Sequence, residues 1–434
     1  MQKGAEGEGC YRHGTAGTGY PSRTMAQTAS DRRSTVLFTA FEPSGDAHAA
    51  PVIAALRQRD PTLRIAAWGG PRMRAAGAEM LGVTAEDGAM GLAGLAKIGL
   101  VHRVRAEAVE WSRKNAVEVH VPVDSPAANF PVVRALRRMG VKTVHLVAPQ
   151  LWAWGGWRIR KLRRRTDLVL CLLPFEQEWF RLRGVPAAFI GHPVMERRLD
   201  AATLDAEALQ LPFGLPRIAM LPGSRSQELH ANLRSLVDAF SILRRKHPQA
   251  VCVLVAANGN LRELARHIVP LMPDGLHVQV GGLDAVLHWC DLALNVSGTV
   301  SLDVALHAKP MVGVYGVSPL SLAVSRLLLR SPVRLLPNII AGRKIVPEFV
   351  PTAAGPQAFA AAADGLIGDV RAAEEARAAL RAVARCFAGH DSGFEAAAFI
   401  DHVRRGGGTE PRELDGVVPA AEAARATSRS QRSP

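Results

Sequence analysis

No apolar run in the 434-residue chain approaches the ~18–20 residues that a membrane span requires. Any bilayer contact is therefore expected to be peripheral. The N-terminus also lacks the apolar core of a secretory signal. Cysteine is scarce and scattered. Cys10, Cys171, Cys252, Cys290 and Cys386 are odd in number and contain no CxxC pair, which argues against a disulfide scaffold or a zinc site and fits a reducing cytosol. The histidines show no HExxH or paired spacing, so no metal is expected. There is no GxGxxG and no Walker lysine, so neither NAD nor ATP is implied. The absence of a DxD motif weakens any metal-dependent transfer scheme, and no cofactor is expected.

What the chain does have is positive charge. Lys and Arg number 53 against 39 Asp and Glu, a formal net charge of +14. That balance favours anionic partners such as a phosphorylated substrate, an anionic lipid or nucleic acid. No aromatic-studded basic sheet, zinc-finger spacing or RNA-binding signature accompanies it, so nucleic acid is not expected. Residues 1–33 and 406–434 are rich in small and polar residues and read as disordered tails; Met25 is an alternative start.

Between the tails, short apolar runs alternate with helical patterns, the βαβα signature of parallel-sheet α/β domains. Strands are expected at 35–41, 64–68, 117–123, 142–147, 168–173 and 187–190. Residues 192–216, with Pro212 and Pro216, read as the linker. The pattern restarts with strands at 217–221, 250–256, 276–280, 291–295 and 310–315, and residues 355–404 are Ala-rich and helical. The expectation is two Rossmann-like domains across a cleft, 34–200 and 201–405, the second with the terminal helices.

In open parallel sheets ligands bind beyond the carboxyl ends of the strands, so the loops there carry the chemistry. Ile218–Leu221 runs into Pro222-Gly223-Ser224-Arg225-Ser226-Gln227-Glu228. This is a glycine turn at a helix start, suited to a phosphate, with a planar cationic fork beside it. Alone it reads equally well as a plain strand–helix turn. Asp291–Val296 runs into Ser297-Gly298-Thr299 and a helix holding Asp303, a carboxylate one turn on that could accept ribose hydroxyls; the alternative is an N-cap with an i,i+4 partner. In the first domain, Thr35–Phe41 runs into Glu42-Pro43-Ser44-Gly45-Asp46. The strand at 117–123 ends in Asp124-Ser125-Pro126, where Asp124 is placed either as a general base or as a helix cap. His192 in Gly191-His192-Pro193 reads as structural.

Taken in order, these loops resemble lipid-A-disaccharide synthase. Glu42–Asp46, Gly69–Met73, Met90-Gly91-Leu92, Asp124-Ser125-Pro126 with Asn129, and Ala148–Trp154 carry the likeness in the first half. Leu173–Glu176, Phe189–Pro193, Leu221–Arg225, Ser297–Thr299, and Leu336-Pro337-Asn338 with Ala341–Arg343 carry it in the second. The likeness spans roughly 35–405. It implies the GT-B fold and an inverting transfer. A UDP-linked 2,3-diacylglucosamine donates its sugar to 2,3-diacylglucosamine 1-phosphate, giving a β-1,6 disaccharide and UDP.

By resemblance, Asp124 is the catalytic base and Arg225 faces the departing phosphates. Gly223, Ser224, Glu228, Ser297, Gly298, Thr299, Asp303 and Asn338 line the nucleotide side. Glu42, Ser44, Gly45, Asp46, Met90, Gly91 and Asn129 line the acceptor side. The chain departs from the family at Asp303 (usually Glu), at Ala127-Ala128 (usually Asp-Phe), at Gly316 (commonly basic) and at Pro351 (often Gln). The resemblance also implies an enzyme docked on the anionic inner-membrane surface from the cytoplasm. Ala89–Val101 is expected as an apolar flap. The basic run Arg158, Arg160, Lys161, Arg163, Arg164 and Arg165 reads either as a membrane-facing helix or as a solvated face. Oligomeric state is left open. The alternatives are a GT-B relative using another UDP-sugar, an epimerase of UDP-N-acetylglucosamine, and a non-catalytic nucleotide-sugar or lipid binder.

Overall fold

The computed structural model describes residues 34–85, 94–153, 155–316 and 333–418. These form two parallel sheets. The first contains β1 (Thr35–Thr39), β2 (Arg64–Gly69), β3 (Glu79–Val83), β4 (Val117–Pro122), β5 (Lys142–Leu146), β6 (Leu168–Cys171) and β7 (Ala187–Phe189), in the order β3-β2-β1-β4-β5-β6-β7. The second contains β8 (Arg217–Leu221), β9 (Val251–Ala256), β10 (Leu276–Val280), β11 (Leu292–Val296), β12 (Met311–Gly316) and β13 (Glu348–Thr352), in the order β10-β9-β8-β11-β12-β13. Every pairing between named strands is parallel. The central strands are apolar because helices cover both faces; β9, Val-Cys-Val-Leu-Val-Ala, is buried along its whole length.

In each sheet the order of strand addition reverses between the first and fourth strands. That switch point opens a crevice at the carboxyl ends. It lies between β1 and β4 in the first sheet and between β8 and β11 in the second. The two carboxyl-end surfaces meet. Leu173, which follows β6, packs with Leu302, Val383 and Phe387, and Trp152, Phe189 and Leu336 close the same apolar cluster. Arg197 of the connecting segment reaches Asp303 at 2.6 Å and Asp284 at 3.1 Å.

The structure corrects or extends several expectations. Two strands that were not expected, β3 and β13, close sheet edges. The connection includes a helix, Ala201–Ala208. The final segment also does not belong wholly to the second domain. Helix Ser392–Arg404 returns to the first sheet, where Ala396, Ala397, Phe399, Ile400 and Val403 enter the core with Ile53 and Leu56. Arg404 is hydrogen-bonded to Asp60 and Ser34. Residues 411–415, expected within a disordered tail, form a short helix whose Leu414 is buried in that core. The Ala-rich pattern could not reveal this, because it shows an apolar face without showing which sheet receives it.

Candidate active site

The first switch point is built from the loops after β1 and β4. After β4 the backbone turns sharply: Asp124 and Ser125 sit in the left-handed region at φ 50° and 33°. This conformation costs a residue with a Cβ about 1–3 kcal/mol and persists only where neighbours impose it. Asn129, fully buried one turn into the next helix, imposes it here. Its amide donates to the carbonyls of Val123 and Asp124, both at 2.9 Å. Its oxygen accepts from Thr39 Oγ1 at 2.7 Å. Asn129 is thus a positioning residue behind Asp124, not a group lining the cleft.

The Asp124 carboxylate is half-buried. Oδ1 accepts the Ser125 N–H at 2.7 Å, and Oδ2 accepts the Ser44 hydroxyl at 3.3 Å. Ser44 stands on helix Pro43–Arg59, which starts directly after β1 with Glu42 as its N-cap residue. His48, one turn beyond Ser44, feels the Asp124 charge: burial lowers its pKa and the carboxylate pulls it back up. The sequence reading passed over His48, although its i,i+4 spacing from Ser44 put it on the same helix face. His192 contacts His48 edge-on with ring centroids 6.2 Å apart, and its Nδ1 accepts the Val194 N–H at 3.1 Å. That is a structural, turn-closing role.

Gly45 and Asp46 point away from this cluster. A Cβ on Gly45 would meet Ala40 at 3.0 Å, so glycine allows the helix to approach the sheet. Asp46 is buried, and its carboxylate accepts the N–H groups of Gly70, Arg72 and Met73 at 2.9–3.0 Å. It holds the 69–73 motif and has no oxygen turned to a substrate. Met90 and Gly91 lie outside the described residues.

The second switch point is built from the loops after β8 and β11. Gly223 has φ 111°, and a Cβ there would strike Glu228 at 2.5 Å. Glu228 folds back to accept the N–H groups of Ser224 and Arg225 at 2.8 and 3.2 Å. Its other oxygen accepts from the Arg225 guanidinium at 3.0 Å. Glu228 therefore shapes the loop and already takes the two N–H groups that a phosphate was expected to use. Arg225 is left exposed at the mouth. Ser297 is half-buried and Gly298 and Thr299 are exposed; among the described residues neither the Ser297 nor the Thr299 hydroxyl has a hydrogen-bond partner.

Asp303 was expected to meet ribose, but its Oδ1 is engaged by Arg197. Burial outweighs that partner and lifts its carboxyl to about 6. Asn338 is fully buried. It accepts from the N–H groups of Ile345 and Val346 at 2.8 and 3.1 Å and donates to the Val346 carbonyl and Glu348 at 3.0 and 2.9 Å. All its bonds go to the 345–348 segment, so it frames the site rather than touching it. Glu176 has a comparable role in the first domain: it caps helix Pro174–Arg181 through the Leu173 N–H and accepts the Trp152 indole N–H at 2.9 Å. Among the described residues no group of three or more His, Cys, Asp or Glu side chains could hold a metal ion, and no helix is long and apolar enough to cross a membrane.

Among solved structures the fold is similar to that of a Neisseria meningitidis UDP-GlcNAc 2-epimerase bound to UDP-GlcNAc (TM-score 0.55, 10% identity, 86% of this chain and 99% of that one). It is also similar to the calicheamicin glycosyltransferase CalG4 (TM-score 0.55, 15% identity, 86% of this chain and 98% of that one). At such identities the likeness shows the shared two-domain GT-B architecture alone. Sequence relatives go further. The lipid-A-disaccharide synthase of Anaeromyxobacter dehalogenans is 37% identical over 356 residues, 80% of this chain and 92% of that protein. The Klebsiella pneumoniae enzyme of the same name is 32% identical over 364 residues, 82% of this chain and 94% of that protein. The family described as lipid-A-disaccharide synthetase matches residues 36–386, which takes in both switch-point loops of both sheets, and on these grounds the chain belongs to the lipid-A-disaccharide synthase family of glycosyltransferases.

Proposed function

We propose that the chain joins UDP-2,3-diacylglucosamine to 2,3-diacylglucosamine 1-phosphate. The observation that carries the assignment of roles is the Asp124 carboxylate, held at the end of a central strand by a strained turn that Asn129 clamps. Strain retained at a switch point has a purpose in positioning. In the proposed reaction Asp124 takes the proton of the acceptor 6-hydroxyl. That oxygen bonds to the donor's anomeric carbon from the face opposite UDP, the bond from that carbon to the phosphate oxygen breaks, and UDP departs with the electron pair. Ser44 orients the Asp124 carboxylate. Arg225, exposed beside the Gly223 turn, meets the charge growing on the diphosphate, and Ser297 and Thr299 offer their hydroxyls to the nucleotide.

The proposed working place is the surface of an anionic membrane. Trp157 and Ile98 are 70% and 56% exposed, and helix Ile159–Arg165 turns Arg160, Arg163 and Arg164 outward. An exposed tryptophan beside outward arginines suits a headgroup layer.

Arg225→Ala is expected to lower kcat/KM for the donor by about 100-fold, the usual scale for losing one donor to a developing anion. Acceptor affinity should be unchanged. Steady-state UDP release at varied donor concentration checks this, and an unchanged donor kcat/KM would remove Arg225 from the diphosphate site.

A further inference from the structure

The first domain carries a second recess, which the reaction scheme above leaves unused. It begins at Pro126 and Ala127, within three residues of Asp124, and runs outward along helix Pro126–Arg137, with helices Gly94–Lys114 and Ile159–Arg165 as its walls. Its volume is about 1110 Å³, far more than one sugar ring fills and just above the roughly 300–1,000 Å³ usual for ligand sites. The floor is apolar, formed by Val109, Phe130, Pro131 and Leu151. Arg105, Arg134, Arg138, Lys161 and Arg165 rim it, and no Asp or Glu lines it.

Among the described residues none of those five cations has a carboxylate partner. Arg165 lies over the Phe130 ring at 5.2 Å, and burial together with the nearby Arg134 charge lowers its pKa. Arg134 and Arg138, one helical turn apart, lie well within a Debye length of each other, and Arg165 feels the Arg134 charge. The cluster repels itself until an anion arrives, and guanidinium forks match phosphate oxygens. An apolar floor beneath a cationic rim fits a molecule with an acyl chain at one end and a phosphate at the other.

We propose that this groove seats the acceptor lipid, with its phosphate read by Arg134 and Arg138 and an acyl chain laid on Phe130, Val109 and Pro131. This rests on the transferase reading. It adds a division of labour on helix Ile159–Arg165: Lys161 and Arg165 face the acceptor groove, while Arg160, Arg163 and Arg164 face outward to the bilayer. It also explains how Asp124 receives the correct hydroxyl, since the groove fixes the far end of the acceptor while its sugar reaches the β4 turn.

The test is the double variant Arg134→Glu/Arg138→Glu, both positions being exposed. It is assayed with 2,3-diacylglucosamine 1-phosphate and with the same lipid lacking phosphate, in non-ionic micelles. The preference of the native protein for the phosphorylated acceptor, as a ratio of kcat/KM values, should fall about tenfold or more, with donor KM and turnover of the unphosphorylated lipid unchanged. An unaltered ratio overturns the proposal. So does an unaltered ratio accompanied by lost binding to phosphatidylglycerol vesicles, which would give these arginines to the bilayer instead. If the native chain turns over neither acceptor, the transferase reading fails by itself. The groove is then judged by direct binding of the two lipids to native and variant protein, where the same tenfold loss of preference is required.

Discussion

Asp124→Asn is expected to lower kcat for acceptor-dependent UDP release by about 1000-fold, the scale of a lost general base, while changing donor KM little. The substitution isolates the chemistry. Asparagine tolerates the left-handed backbone that residue 124 adopts at φ 50°. Its side-chain oxygen can still accept the Ser125 N–H, so the turn and the Asn129 clamp behind it are kept. What is lost is the charge and the ability to take a proton. A fall in kcat with donor KM preserved marks an interaction realised in the transition state. Initial rates of UDP release with both substrates saturating measure it. A drop of less than about tenfold would leave Asp124 an orienting residue and shift attention to His48, which feels the Asp124 charge.

The second large effect is on stability in acid. His120 and His145 are fully buried in the first sheet, and burial pushes their imidazolium pKa values down to about 3 and about 4. His120 contacts Thr39 Oγ1 at 2.9 Å, whereas neither ring nitrogen of His145 has a partner among the described residues. Unfolding frees both rings to titrate near 6.5. Between that value and the folded values the unfolded chain binds more protons, so stability is full above about pH 6.5 and falls as pH drops toward 4 and 3. Each ring costs about 1.4 kcal/mol per pH unit in that window, or about 2 kcal/mol by pH 5. Against a total of about 5–15 kcal/mol, losing both is severe. His145→Leu should remove its own share of the fall between pH 6.5 and 5, about 2 kcal/mol, beside the shares of His120 and the likewise buried His192, and cost little at pH 7, where it deletes an unpartnered polar ring. Urea midpoints of the full chain at pH 5, 6 and 7 test this; a variant with the native slope would show that His145 does not titrate on unfolding.

These histidines also show how far the sequence could be read. The strand 117–123 was legible despite the polar Glu118 and His120 because valines alternate with them and the run ends in Asp-Ser-Pro. The edge strands were not. β3 contains Gly82 and is only half-buried, and β13 contains Pro351, which is confined to edges because it cannot donate to a ladder. The loops that carry chemistry were visible because glycine and hydroxyl residues recur at several strand ends, each ambiguous alone, in one family's order. The side chains within them were harder to sort. Asp46, Asn129, Glu228 and Asn338 look like ligands in a motif, yet each spends most of its hydrogen bonds on backbone groups that hold the motif in shape. Asp303 is taken by Arg197, more than a hundred residues earlier, and only tertiary structure brings that pair together. His48 was missed for the converse reason: no motif marked it, and its link to Asp124 exists only once β1 and β4 lie side by side.

The most direct test of the account is UDP release by the native chain from UDP-2,3-diacylglucosamine, measured with and without 2,3-diacylglucosamine 1-phosphate, alongside the mass and linkage of the lipid product. The account predicts release only when both lipids are present, with one β-1,6 disaccharide formed for each UDP. Release that ignores the acceptor, or a folded chain that binds both lipids and forms no disaccharide, would contradict it.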